Sequence, residues 1–251
     1  MSVKKILTKS LNIIFPVKCV CCKKFSAKSD SEDILCESCR DTLNKEAAFN
    51  CRFCGDPPYR CGCKKVKNID KLVFPYFYRG DKLKQAIYAV KKANLYYINE
   101  FFAKSMYNSL KLSDKIKTGD IDIITNTPRM KRSIKLYGYN QTEVLAKIIS
   151  KYTGIYYMPV VEASKLYHTE QKSLDKTQRI SNVKNKFTVT KNIIKNKDII
   201  KDKNILIIDD IVTTGSTLSE CARVMKNIGA KSVCALCAAS VFFVIDIKKF
   251  G

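Results

Sequence analysis

From Gly80 onward, stretches of helical period alternate with short, nearly continuous apolar runs. "GDKLKQAIYAVKKAN" sets Leu83, Ala86, Ile87 and Val90 on one helical face, and a second such stretch covers Tyr97 to Leu112. "DIDIITNTP" reads as a buried strand that ends at Pro128. "NQTEVLAKIISKYTG" predicts a helix with Val144, Leu145, Ile148 and Ile149 inward and Gly154 just past its end. "NILIIDDIV" is the kind of unbroken apolar run that parallel sheets bury on both faces. After it comes "TLSECARVMKNIGAKSV", with Leu218, Cys221, Ala222, Met225 and Ile228 on one face and Gly229 as its stop. "SVCALCAAS" is a further buried strand. Strand, loop, helix and strand in this order predict an α/β domain on a parallel sheet.

The first quarter of the chain follows no such pattern. Nine of the twelve cysteines lie between Cys19 and Cys63, and the next is Cys221. That shift divides the chain into a cysteine-rich module, 1–66, and an α/β domain, 67–251. The cysteines come as Cys19-Val20-Cys21-Cys22, Cys36-x-x-Cys39, Cys51-x-x-Cys54 and Cys61-Gly62-Cys63. Two close pairs on tight knuckles complete a tetrahedron around one zinc ion, with Zn–S distances of about 2.3 Å. Cys19, Cys22, Cys36 and Cys39 form one candidate set, and Cys51, Cys54, Cys61 and Cys63 the other. Cys21 can replace Cys22, ligands can interleave across one or two ions, and buried free thiols are the plainer alternative. The role expected of zinc is structural, because the region offers no His or paired carboxylate to work with a metal-bound water. So small a segment has too little core to fold without it. Cys221, Cys234 and Cys237 fall on core positions and read as packing, although Cys234-x-x-Cys237 has the spacing of a redox pair.

Composition changes this picture in one respect. With 46% hydrophobic residues, 13 Tyr and 12 Phe the chain is a folded protein, but its formal charge is +23. That excess suits an anionic polymer such as nucleic acid as partner, or a solvated lysine surface in a chain also rich in Ile and Asn. The basic residues are scattered, densest from Lys176 to Lys203 and apart from any aromatic cluster. The N-terminal "MSVKKILTKSLNIIFPVK" lacks a small-residue cleavage site, and Ser232 to Ile245 falls short of the roughly 18 residues of a spanning helix. A cytoplasmic protein without membrane insertion is expected, with its cysteines reduced or on metal. The sole histidine, His168, lies in a polar connecting stretch and reads as a surface residue.

The candidate chemistry sits in "ILIIDDIVTTGST". Ligands bind at the carboxyl ends of parallel strands, and there Asp209 and Asp210 stand side by side. Thr213 to Thr217 then open the next helix, where free N–H groups and the positive dipole end meet an anion. Gly215 allows close backbone approach, while Thr213, Thr214, Ser216 and Thr217 add hydroxyl donors. The acids repel a bare phosphate. A sugar phosphate fits, its hydroxyls on the acids and its phosphate in the loop. The loop lacks the Lys and glycine spacing of a Walker-type P-loop, and no G-x-G-x-x-G is present.

This stretch resembles the signature of type I phosphoribosyltransferases, which bind 5-phosphoribosyl 1-pyrophosphate (PRPP). The resemblance implies ribose hydroxyls on Asp209 and Asp210 and the 5′-phosphate on Thr213, Thr214, Gly215, Ser216 and Thr217. Residues 15 to 240 as a whole are similar to the ComF family, which joins a cysteine-rich zinc module to such a domain and is linked to DNA uptake in natural competence; GntX-type proteins share the layout. "YRGDKLKQAIYAVK", including Lys91, matches the family's region before the sheet. "TPRMKRSIKLYGYNQTEVLA" matches its P-x-x-x-x-R-x-x-x-R-G-[FY]-N-Q segment in spacing. "QKSLDKTQRISNVKNKF" matches Q-x-x-L-x-x-x-x-R-x-x-N-V through Gln171, Leu174, Arg179, Asn182, Val183 and Phe187. Tyr137 stands where the family usually has Arg, and Ser133 where another Arg is common, with Arg129, Arg132 and Lys135 nearby.

Two functions follow as expectations. A PRPP-dependent transferase would break the C1′–pyrophosphate bond, with Mg²⁺ on the pyrophosphate, Asp209 and Asp210 on the ribose, and Arg132 in the basic loop assisting the leaving group. A non-catalytic adaptor would instead bind PRPP or a nucleotide as a signal. Its partner would be single-stranded DNA or a DNA-translocation helicase, with Tyr137 and Tyr139 able to stack on bases. The acceptor and the oligomeric state are left open.

Overall fold

The structure, a computed structural model, describes residues 18–25, 35–51, 53–92, 96–130, 134, 138–164 and 186–241; for 90–92, 96–97 and 197 it describes the backbone alone. Two strands form the middle of its main sheet. Strand β6 (Asn204–Val212) and strand β7 (Ser232–Ser240) match the two apolar runs residue for residue, and they pair in parallel along their whole length. Strands β1 (Lys71–Val73) and β2 (Tyr76–Phe77) pair with the far edge of β7, and β3 (Ile123–Asn126) with the far edge of β6. All these pairings are parallel, as the strand–helix–strand pattern predicts.

Side chains alternate across a strand, so an unbroken apolar run requires a core on each face. Leu206 and Ile208 join one core, and Ile205 and Ile207 the other. The first is built with helices α2 (Asp81–Lys92), α3 (Tyr96–Leu112) and α4 (Gln141–Thr153), through Leu83, Ile87, Phe102, Met106, Leu145 and Ile149. The second is built with α6 (Ser216–Asn227), through Leu218, Cys221, Ala222 and Met225. Each fully buried Leu, Ile, Phe or Met among them is worth about 1.5–3 kcal/mol. A one-residue slip of β6 would exchange the two sets, which would stay covered but lose their fitted packing in each core.

Gly154 closes α4 in the left-handed conformation at φ 74°, its N–H donating to the Ser150 carbonyl. Two inward residues differ from expectation. Val144 is only partly buried, because α4 turns Gln141, Thr142 and Ala146 inward beside Leu145. Ile228 is also partly buried, since α6 ends at Asn227 and Val224 takes the inner face. Cys221, Cys234 and Cys237 are buried and burial raises the pKa of each thiol, which suits packing.

Several elements lack a counterpart in the sequence reading: strands β1 and β2, helix α1 (Glu37–Ala47), the antiparallel ribbon of β4 (Val161–Ala163) with β5 (Phe187–Val189), and the short helix α5 (Lys191–Lys195). The cysteine-rich segment feeds both cores. Val20, Leu35 and Leu43 join the first, and Cys51, Cys61 and Val66 the second. Among the described residues no helix is long and apolar enough to cross a membrane.

Candidate functional site

The site arises from unequal pairing on the two sides of β6. Toward β7 the ladder continues to Val212, whereas toward β3 it stops at Asn126 opposite Ile208. The next residue, Asp209, therefore stands at the mouth of a crevice of about 170 Å³ between the ends of β6 and β3. Asp209 is 8% exposed, and its Oδ1 accepts from the Thr127 hydroxyl at 2.8 Å and the Asp210 N–H at 2.9 Å. Asp210 lies further out, with its Oδ1 accepting from the Ile211 N–H at 2.6 Å. Donors already in the chain thus fix both carboxylates, which offsets part of the cost of placing two acids together.

The predicted loop residues gather around a smaller hollow. Thr213, Thr214, Gly215, Ser216 and Thr217 line it together with Asp209, and it shares Asp209, Ile211 and Thr217 with the larger crevice. Gly215 has φ 82°, which an L side chain resists, and α6 begins at the next residue. The Thr214 and Ser216 hydroxyls lie 2.9 Å apart, and the Ser216 N–H donates to Thr214 Oγ1. Hydroxyls and helix-start amides beside two carboxylates suit a ligand that carries an anion at one end and hydroxyls at the other.

The opposite wall was missed from the sequence. Thr127 lies just past β3, and its carbonyl accepts from the Thr142 hydroxyl at 2.7 Å and from Asn126 Nδ2 at 2.9 Å. The Tyr157 hydroxyl donates to Asn126 Oδ1 at 2.7 Å, and burial raises the pKa of that hydroxyl. Gln141 lines the crevice, is 3% exposed, and its Oε1 has no hydrogen-bond partner among the described residues. The only sequence signal was a run of polar residues, "TNTP", after an apolar strand.

Arg129 also lines the crevice and donates to the Tyr139 carbonyl at 3.5 Å. Tyr139 is 9% exposed, so it packs and does not present a face for stacking on bases. Burial, then Asp210, push its hydroxyl pKa up against the pull of Arg129. Arg132, Ser133, Lys135, Tyr137, His168, Gln171, Leu174, Arg179, Asn182 and Val183 lie outside the described residues, as does the Lys91 side chain. Phe187 opens β5 and is buried.

The cysteines gather into the two expected sets. The sulfurs of Cys19, Cys22, Cys36 and Cys39 lie within 4.8 Å of one another, as do those of Cys51, Cys54, Cys61 and Cys63. Neighbouring sulfurs are 3.7 Å apart in Cys22–Cys36 and 3.8 Å in Cys54–Cys61. A tetrahedral zinc with ordinary Zn–S bonds sets its sulfurs about 3.8 Å apart. Both sets can therefore hold zinc. Cys21 stays outside: its Sγ points to the Lys82 carbonyl, and burial, reinforced by charge on Cys19, pushes its thiol up to about 12. Burial acts upward on Cys19 and Cys51 too. The N–H groups of Cys22, Cys36 and Cys21 nevertheless bring Cys19 down to about 6, and those of Cys54 and Phe53, with the Cys61 and Cys54 thiols, bring Cys51 to about 7.

Comparison with known proteins agrees with this geometry. The model of the phosphoribosyl transferase domain matches residues 144–242, from α4 through β7. That stretch of the chain is therefore similar to a phosphoribosyl transferase domain. It also resembles competence protein F of Haemophilus influenzae, at 25% identity over 213 residues, or 79% of this chain and 87% of that protein. A shorter match, 47% identical over 38 residues, links it to ribose-phosphate pyrophosphokinase 2 of Archaeoglobus fulgidus, covering 15% of this chain and 14% of that one. Among solved structures, glutamine phosphoribosylpyrophosphate amidotransferase from B. subtilis aligns over 55% of this chain and 26% of its own, at 16% identity and a TM-score of 0.35. That last likeness is too loose to carry weight. The sheet, the transferase-domain match and the two cysteine sets together make this a phosphoribosyltransferase-like α/β protein related to competence protein F.

Proposed function

We propose that this chain binds PRPP, or a nucleotide through its 5′-phosphate, in the crevice at the end of β6, and that it acts in the cytoplasm in DNA uptake. The observation that carries the reading is the shared wall of Asp209, Ile211 and Thr217 between the crevice and the loop hollow. A single ligand can then place its ribose hydroxyls against Asp209 and Asp210 and its 5′-phosphate among Thr213, Thr214, Gly215, Ser216 and Thr217. Gln141 Oε1, buried and unpartnered among the described residues, would accept from a further hydroxyl.

If an acceptor is present, the C1′–O bond to pyrophosphate breaks with oxocarbenium character, and catalysis rests on positioning and on charge. Arg129 and Arg132 would draw off the charge gathering on the leaving pyrophosphate. Mg²⁺ bound with PRPP would supply further charge neutralisation on the same oxygens. The cysteine module, 1–66, would hold two structural zinc ions against the transferase-like domain, 67–251. Support for competence is the name of the Haemophilus relative, and the resemblance to the ComF family extends it to DNA uptake. Calorimetric titration with PRPP and Mg²⁺ should give a saturable heat that Asp209→Asn reduces. No heat from the intact chain, or an unchanged Asp209→Asn isotherm, would sink the reading.

A second reading has its own support in the charge of +23 and in Phe25 and Phe53, exposed beside the two cysteine sets. Here the chain is an adaptor for single-stranded DNA or a DNA-translocation helicase. Binding of an oligonucleotide should then weaken steeply as salt rises. A flat salt response counts against it.

A further inference from the structure

We propose that the second cysteine set clamps the phosphate loop, so that metal on Cys51, Cys54, Cys61 and Cys63 and a sugar phosphate on Thr213–Thr217 strengthen one another. The proposal rests on the reading of that loop given above. The segment that leaves the set, 61–68, has no regular ladder of its own to fix its course. It is tied at two ends instead. At the cysteine end, Lys115 Nζ donates to the Cys61 carbonyl and Arg60 pairs with Asp114 at 3.4 Å. At the other end three successive contacts reach the loop and the first turn of α6. Lys64, the residue after Cys63, donates from Nζ to the Thr213 carbonyl at 2.5 Å. Val66, 7% exposed, lies against Gly215, so closely that a Cβ there would meet Val66 Cγ2 at 2.6 Å. Asn68 Nδ2 donates to the Ser219 carbonyl at 3.1 Å.

These contacts make Lys64 and Val66 positioning residues. They hold the backbone from Thr213 to Gly215 in one course, which keeps the loop's amides and hydroxyls turned to one hollow. Closing a tetrahedron of sulfurs fixes where Cys61 and Cys63 lie, and hence where Lys64 begins. Whatever stabilises the clamp then stabilises the binding form of the loop, and the coupling is reciprocal. The segment that carries the first set is directed elsewhere: Cys21, which lies between two of its ligands and outside the set, points its Sγ to the Lys82 carbonyl on α2.

Hydrogen exchange and ligand binding on the full zinc-loaded chain test this together. Cys63→Ser breaks the set; Lys64→Met breaks the strap and leaves all four thiols in place. Each should speed exchange of the 213–219 amides about tenfold and weaken ribose 5-phosphate binding by a similar factor, within the usual range of coupling between sites. Lys64→Arg should restore both, and the neighbouring Lys65→Met, which removes the same charge from an exposed position, should change neither. Loop exchange in Lys64→Met equal to that of the parent chain overturns the proposal, as does an equal effect from Lys65→Met. If the parent chain fails to bind ribose 5-phosphate, the function proposed above falls, while the exchange of the loop amides still decides the clamp.

Discussion

Gly215→Ala tests the packing of the cysteine module against the loop at a single atom. Two costs add at this position. The residue has φ 82°, and an L side chain in the left-handed region costs about 1–2 kcal/mol. The new methyl would also lie 2.6 and 2.8 Å from Cγ2 and Cγ1 of Val66, and 3.2 Å from its Cβ. Carbon atoms in contact sit about 3.5–4.0 Å apart, so Val66 must withdraw by about 1 Å. Overpacking of that kind costs about 1–3 kcal/mol. The single substitution should therefore destabilise by about 2–5 kcal/mol. Val66→Ala removes the two clashing methyls, so in the double variant the backbone cost, the lost Val66 packing and the milder 3.2 Å contact with the Cβ of residue 66 remain. The cycle should show a favourable coupling of about 1–3 kcal/mol. With no Trp in the chain, urea unfolding followed by far-UV circular dichroism at saturating zinc is the suitable assay. Effects that add within about 0.5 kcal/mol would mean that Val66 does not bear on Gly215 and would refute the reasoning.

Metal content separates Cys21 from Cys22: Cys22→Ser should lose one of two zinc ions per chain and Cys21→Ser neither, with the reverse result placing Cys21 in the set. Glu46 is 8% exposed, and burial raises its pKa against the opposing pull of Arg79. A raised folded pKa means stability that is present while the group is protonated and lost as pH rises through that pKa. Glu46→Gln stays neutral, so its melting temperature should exceed the parent's at pH 7 and approach it as pH falls toward the ordinary carboxyl range; a constant difference would contradict this. For the ribose contact, 2-deoxyribose 5-phosphate should bind about 10- to 100-fold more weakly than ribose 5-phosphate, because a charged acceptor loses its donor. Equal affinities measured by calorimetry would remove the carboxylates from that role.

What could be read from the sequence was what is contiguous in it. Strands β6 and β7 carry enough apolar length to be unambiguous, and Asp209 with the Thr213–Thr217 turn follows the first directly. The cysteine sets were legible because each pair is local. What escaped depends on the path of the chain. Thr127 reaches Asp209 across 82 residues, and Lys64 reaches Thr213 across 149, with no periodicity to announce either. Helix α1 buries Cys39, Leu43 and Glu46, a helical face, but two of its three inner residues do not count as strong apolar signals. Strands β4 and β5 have three residues each, too few to show alternation. The orientation of Cys21 toward α2 follows from how the knuckle docks, which spacing alone does not fix.

The two acids narrow the choice of ligand more than the loop does. A hollow of hydroxyls and helix-start amides accepts almost any small anion, and inorganic phosphate would satisfy it. Asp209 shares that hollow, however, and a bare phosphate would meet its charge at close range in a partly desolvated site. Backbone and Thr127 donors hold the carboxylates in place, so they cannot swing aside at little cost. The arrangement becomes favourable only if the anion arrives with donors attached on the side of Asp209 and Asp210. A phosphate on a polyhydroxylated sugar meets that condition, and the adjoining crevice, with buried Gln141 and Arg129 on its wall, leaves room beyond the sugar for a second group. Under the proposed function, selectivity for a phosphorylated ribose over phosphate itself would follow from the acid pair, whether or not the sugar were then transferred.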